Sequence, residues 1–167
     1  MACGTLQVML VNAKDLKESA FLGKSNAYIV IHYGTQQHQT SVVRGEGRNP
    51  EWNEKFSFRT EYPASDDHDY KLVFRIMDKH HLGKDKFVGE TTIYVKDILS
   101  MGAETSKVEL HHQKYRIELE DKSFAGEICV SLNFTLDLIP LPGGAEKFDS
   151  DESQSVSRRT WKRSGKT

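Results

Sequence analysis

The segment Arg48-Asn49-Pro50-Glu51-Trp52-Asn53-Glu54-Lys55-Phe56-Ser57-Phe58 decides how the rest of the chain is read. Asn-Pro marks a turn, because proline fixes its own φ and pushes the preceding residue out of the helical region. Directly after it, Trp52, Phe56 and Phe58 fall on alternate positions, the period of a strand with one buried face. The same period recurs on both sides. Leu6, Val8 and Leu10 alternate with Thr5, Gln7 and Met9, and residues 27–33 form a second run. Residues 37–43 read as a polar strand at an edge or facing solvent. Leu72, Phe74 and Ile76, then residues 88–95, then Tyr115, Ile117 and Leu119, then Ile128, Val130, Leu132 and Phe134 supply the others. Residues 96–101 read as one helical turn stopped by Gly102. Eight short strands with almost no helix predict an all-β fold, an eight-stranded antiparallel sandwich.

The chain's 167 residues suit one domain. Positive and negative side chains nearly cancel, at a net charge of -1, which argues against a globally basic nucleic-acid binder. No leader and no apolar run near the roughly 20 residues of a membrane span are read. With Cys3 near the start and Cys129 inside an apolar strand pattern that suggests burial, this predicts a cytoplasmic protein with reduced thiols. Cys3 as an acylation site has little support. Beyond Pro140 the residues turn to Gly, Ser and charge, too polar to bury a core. The expected division is therefore a domain over 1–140 and a flexible, disordered tail over 141–167. The tail is acidic first (Glu146, Asp149, Asp151, Glu152), then basic (Arg158, Arg159, Lys162, Arg163, Lys166) around Trp161. A basic segment with an aromatic suits anionic lipid or nucleic-acid phosphates; a solvated terminus with no partner is the plain alternative.

Three segments together resemble the C2 domain family: Leu16 through Gly23-Lys24-Ser25-Asn26-Ala27-Tyr28, the Asn-Pro-x-Trp-Asn-Glu-x-Phe run at 49–56, and Asp78 through Phe87-Val88-Gly89-Glu90. Within the family, the chain is similar to small single-domain plant proteins of the elicitor-responsive and phloem types. The resemblance covers residues 4–136 and implies a sandwich whose loops at one end bind calcium and phospholipid membranes.

Against the family pattern, the calcium ligands are mostly replaced. Five aspartates are implied, and their positions here hold Ala20, Asn26, Asp78, His80 and Lys86. Calcium takes six to eight oxygens, with carboxylates supplying most of the charge. Asp78, Asn26 and the neighbouring Asp85 are left as a remnant shell, while the Lys86 ammonium repels an ion and is expected to pair with Asp78 or Asp85. Calcium binding is expected to be absent or weak, and no other cofactor is expected. Adjacent histidines such as His80-His81 and His111-His112 point to opposite sides of an extended chain, so solvated histidines outweigh a zinc or copper site. Protonation of His80 and His81 in mild acid would add charge to the loop.

The candidate membrane-facing residues are Phe21, Leu22, Lys24, His80, His81, Leu82, Lys84 and Lys86. Phe21 and Leu22 either wedge into the headgroup layer or pack back on Leu82 and Phe87. Many C2 domains bind phosphoinositides with a lysine-rich face; here Gln36, Gln37, His38 and Gln39 stand there, with Arg44 and Arg48 the basic residues nearby. No nucleophile elbow, phosphate loop or His-Glu-x-x-His is present, and Asp66, Asp67, His68 and Asp69 read as a solvated turn, so a non-enzymatic module without a small-molecule substrate is expected. The first functional reading is calcium-independent docking to anionic phospholipid at the plasma membrane. The second is an RNA- or protein-binding adaptor acting through the tail, since the phloem-type resemblance implies RNA association and movement between cells.

Overall fold

Alternation along the sequence becomes alternation in burial. In the computed structural model, which describes residues 2–16, 26–44, 48–65, 70–80 and 83–137, strand β1 (Ala2–Lys14) buries Gly4, Leu6, Val8 and Leu10 while Thr5, Gln7 and Met9 keep partial exposure. Eight further strands follow among the described residues: β2 (Asn26–Tyr33), β3 (Gln36–Gln39), β4 (Val43–Arg44), β5 (Glu51–Tyr62), β6 (Lys71–Asp78), β7 (Lys86–Tyr94), β8 (Lys107–Glu118) and β9 (Phe124–Leu136), with one helix, α1 (Lys96–Thr105), between β7 and β8. The expected tail and the end of the expected 1–140 domain lie outside the described residues.

The strands run in the spatial order β3-β2-β6-β7-β8-β9-β1-β5, with the two-residue β4 beside β2. Every pairing is antiparallel. The path nearly breaks once: β7 and β8 meet only at Glu90 and Glu118. The molecule is thus two four-stranded sheets, β3-β2-β6-β7 and β8-β9-β1-β5, packed face to face as an antiparallel sandwich. Leu6, Val8, Leu10, Ile29, Ile31, Phe74, Ile76, Val130, Leu132 and Phe134 are almost inaccessible between them. Each such side chain contributes about 1.5–3 kcal/mol by leaving water.

The second seam, between the path's two end strands, is closed by side chains. Gln36 Nε2 donates to the Arg59 carbonyl (2.7 Å) and Gln36 Oε1 accepts the Arg59 N–H (2.8 Å). His38 Nε2 donates to the Ser57 carbonyl at 3.0 Å, and its ring lies edge-on to Phe58, with centroids 4.9 Å apart. Trp52 Nε1 donates to the Ser41 carbonyl (3.0 Å), and the Ser41 hydroxyl donates to Glu54. A primary amide offers the same donor and acceptor as a peptide group, so Gln36 stands in for a missing ladder partner on β5. The sequence assigned the whole 37–43 stretch to a polar strand. Instead β3 ends at Gln39 and Val43 belongs to β4; within β3 Gln37 and Gln39 are exposed, while Gln36 and His38 turn toward β5.

Two sequence expectations fail here for packing reasons. The helix does not stop at Gly102 but continues to Thr105, ending where Ser106 adopts φ 75° and its N–H returns to the Gly102 carbonyl. Gly102 serves packing: a Cβ there would lie 2.1 Å from the Phe134 ring. Cys129 is not buried. Its neighbours Ile128 and Val130 take the inward positions of β9, which leaves Cys129 on the outer face with partial exposure.

Candidate functional site

Because the strands alternate in direction, the strand ends that flank the β1–β2, β4–β5 and β6–β7 connections gather at one end of the sandwich. The 48–50 segment builds the entry to the first of them. Asn49 Oδ1 accepts the Asp15 N–H at 3.1 Å, Arg48 Nε donates to the Leu16 carbonyl at 3.0 Å, and the Leu16 N–H returns to the Arg48 carbonyl. Asp15 needs this support, since its φ of 55° is a left-handed conformation that costs an ordinary residue energy. Arg48 and Arg44 were the only basic residues expected near the glutamine-bearing face, too few for a strong lipid-headgroup pocket there; the Arg48 Nε is engaged in this clamp.

Asp78, at the end of β6, is only 3% exposed. Its Oδ1 accepts the Asn26 N–H (2.9 Å), and the Asn26 carbonyl accepts the Lys79 N–H (2.9 Å). Asn26 and Asp78 do come together, as the remnant shell requires, but the hydrogen bond uses the Asn26 backbone. The loop after Asp78 is held by another carboxylate: Asp85 accepts the Tyr28 hydroxyl at 2.5 Å through Oδ2 and the His80 N–H at 3.2 Å through Oδ1. Tyr28, 7% exposed on β2, reaches across from the neighbouring strand. The bond to Tyr28, helped by the His80 N–H, holds the Asp85 carboxyl below its ordinary range. Burial first, and Asp85 second, push the Tyr28 phenol up to about 12.

Lys86 was expected to pair with Asp78 or Asp85. It faces Asp78 in the β6–β7 register, yet it makes no ion pair with either acid. Asp78 is turned into the sandwich and Asp85 is engaged by Tyr28, so Lys86 stays exposed, as do Lys79 and Lys84. Among the described residues, no three His, Cys, Asp or Glu side chains gather as a metal site would require. His80 is partly buried. Ala20, Phe21, Leu22, Lys24, His81 and Leu82 lie outside the described residues, as do Asp66, Asp67, His68, Asp69 and the tail positions Arg158, Arg159, Trp161, Lys162, Arg163 and Lys166.

The face where other C2 domains carry lysines presents Gln37, Gln39, Val30, His32 and Val73 on β3, β2 and β6. Of the basic residues that share the outward register of Val73 on β6, Arg75 is bonded to Glu90 at 3.2 Å and stacked over Phe87, and Lys71 lies over the Tyr94 ring at 5.8 Å. His111-His112 fills the bulge of β8, where the register with β9 slips between Leu110 and Gln113. Both are exposed there, so this pair marks an irregular, charged strand edge of the kind that discourages pairing with other chains.

Comparison with known proteins agrees with this architecture. The C2 domain model matches residues 4–116, and the chain belongs to the C2 domain family. It is 43% identical over 137 residues to 16 kDa phloem protein 1 of Arabidopsis thaliana, covering 81% of this chain and 87% of that protein. It is 43% identical over 135 residues to elicitor-responsive protein 1 of Oryza sativa subsp. japonica, with 79% and 84% covered. Among solved structures, a C2 domain-containing protein from an elicitor-responsive gene superposes with a TM-score of 0.60 at 31% identity, over 79% of this chain and 90% of that one.

Sequence reasoning named Tyr28, Gln36, His38 and Asn49 as landmarks, turn or face residues but assigned none of them the cross-link it makes. The available signal was parity: Tyr28 shares the outward register of Asn26, Val30 and His32, so an aromatic there needs a neighbouring element to cover it.

Proposed function

We propose that this protein is a non-enzymatic C2 module that docks on anionic phospholipid membranes through the Asp78–Lys86 end of the sandwich, with little or no need for calcium. The observation that carries the reading is the charge of the β6–β7 loop. In calcium-dependent docking an ion must bridge acidic loops to acidic lipid; here three exposed lysines, Lys79, Lys84 and Lys86, outnumber two aspartates. Each basic residue near an anionic surface contributes about 1 kcal/mol. Both aspartates are already engaged, Asp78 by the Asn26 N–H and Asp85 by Tyr28 and His80. These residues fit a calcium shell poorly, because a ligand set of two bonded carboxylates and an ammonium falls well short of six to eight oxygens.

Membership in the C2 family, with 16 kDa phloem protein 1 and elicitor-responsive protein 1 among its relatives, is consistent with a binding role. On this reading the protein works in the cytoplasm and meets the plasma membrane peripherally. The basic segment 158–166 is a second contact.

The experiment is sedimentation with phosphatidylserine vesicles, in chelator and in calcium, for the full chain and for one ending at residue 140, beside a filter-binding assay with RNA. Binding that survives chelator and weakens with salt supports the proposal. Failure to sediment, with salt-sensitive RNA binding that needs residues 141–167, would replace it with the adaptor reading.

A further inference from the structure

Two hydrogen bonds meet at Asp85. It lies in the β6–β7 connection, whose backbone turns at Gly83 with φ 90°. It accepts from Tyr28 on β2 and from the backbone of its own loop at His80. Tyr28 is itself nearly buried and opposite Met77 in the strand register. Lys79, Lys84 and Lys86, all exposed, repel one another in this connection. In a calcium-binding loop an ion would tie such a segment to the neighbouring strand. Here, beside the backbone bond from the Lys79 N–H to the Asn26 carbonyl, the side-chain tie joining the connection to β2 is a phenol–carboxylate hydrogen bond.

We infer that Tyr28 is a positioning residue: through Asp85 its hydroxyl latches both ends of the β6–β7 connection, at Asp85 and at the His80 backbone, to β2 without an ion. A charge-assisted hydrogen bond is about twice as strong as a neutral one, and the partly enclosed position of Tyr28 limits competition from water. The latch also fixes the spacing of the three lysines that face lipid headgroups. That last step rests on the membrane-docking reading; the latch itself does not.

Four full-length variants test it. Tyr28→Phe keeps the ring and removes the donor. Asp85→Ala removes the acceptor, Asp85→Asn keeps a neutral one, and Tyr28→Phe with Asp85→Ala removes both. The readout is amide exchange at Lys79 and His80 by NMR, with sedimentation on phosphatidylserine vesicles alongside. Tyr28→Phe and Asp85→Ala should each speed His80 exchange about tenfold or more, and the double variant should add little, because paired groups are not additive. Asp85→Asn should fall nearer wild type, and amides of β1 and β9 should be unchanged. Calcium should not restore protection.

If Tyr28→Phe leaves the Lys79 and His80 amides as protected as before, the latch is overturned. Faster exchange with unchanged vesicle binding would keep the latch and overturn its part in docking. If the wild-type chain does not sediment with vesicles, the docking reading fails, while the exchange measurements still judge the latch.

Discussion

The β3–β5 rim and the β6–β7 loop look alike in sequence, both short polar stretches amid apolar strands. Gln36-Gln37-His38-Gln39 reads as a solvated edge and Asp78 to Lys86 as a metal loop that has lost its ligands. Both turn out to be cross-links. At the rim, Gln36 and His38 bond the backbone of β5, and the His38 ring rests against Phe58. At the loop, one phenol bonds one carboxylate. The difference lies in what depends on each. Rim bonds join the two sheets, so their loss is felt by the whole sandwich; the loop bond restrains only residues that carry charge to the surface.

Breaking the rim should have the largest effect. Gln36→Ala with His38→Ala removes three hydrogen bonds and an aromatic contact, at about 1 kcal/mol each before relaxation. Chemical denaturation should show a loss of about 2–3 kcal/mol with an unchanged slope. A loss below 0.5 kcal/mol would mean that the rim bonds are incidental. Reversing the loop charges comes next. Lys84→Glu with Lys86→Glu should weaken phosphatidylserine vesicle binding about thirtyfold or more, from roughly 1 kcal/mol per basic residue, while the denaturation midpoint stays put.

The smallest effect is spectroscopic. The Tyr28 phenol titrates at about 12 instead of 10 in the folded state. Its folded value is raised, so the stabilisation is fully present below pH 10 and is lost as pH rises through 12. Asp85 is shifted the opposite way, below the usual carboxylate range, so its share persists above that range and is lost as pH falls through the lowered value. The latch is therefore intact throughout the neutral range. Burial also raises the Tyr115 phenol, so absorbance at alkaline pH should show a late phase shared by Tyr28 and Tyr115, and Tyr28→Phe should reduce that phase by one phenol. Unchanged late absorbance in Tyr28→Phe would show that Tyr28 is not one of its sources.

The sandwich was legible because period-two burial is a property of single strands: Leu6, Val8 and Leu10, or Leu72, Phe74 and Ile76, announce their face without reference to a neighbour. The family landmarks at 49–56 then fixed which sandwich it is. Side-chain cross-links were not legible, since they depend on register between strands far apart in sequence. Nothing local to Tyr28 names Asp85, 57 residues away, and nothing local to Gln36 names the Arg59 backbone. The same limit explains Gly102 and Cys129. Glycine near the end of a short helical pattern reads as a stop until Phe134 is seen against it, and Cys129 reads as core until the register of β9 assigns it outward. Lys86 misled for a different reason: charge proximity suggested a salt bridge, but both acids had better partners.

The most direct measurement is vesicle sedimentation of the full-length protein at fixed phosphatidylserine content, once in excess chelator and once in millimolar calcium. The account predicts equal binding in the two, falling together as salt rises. Binding seen only with calcium would contradict it.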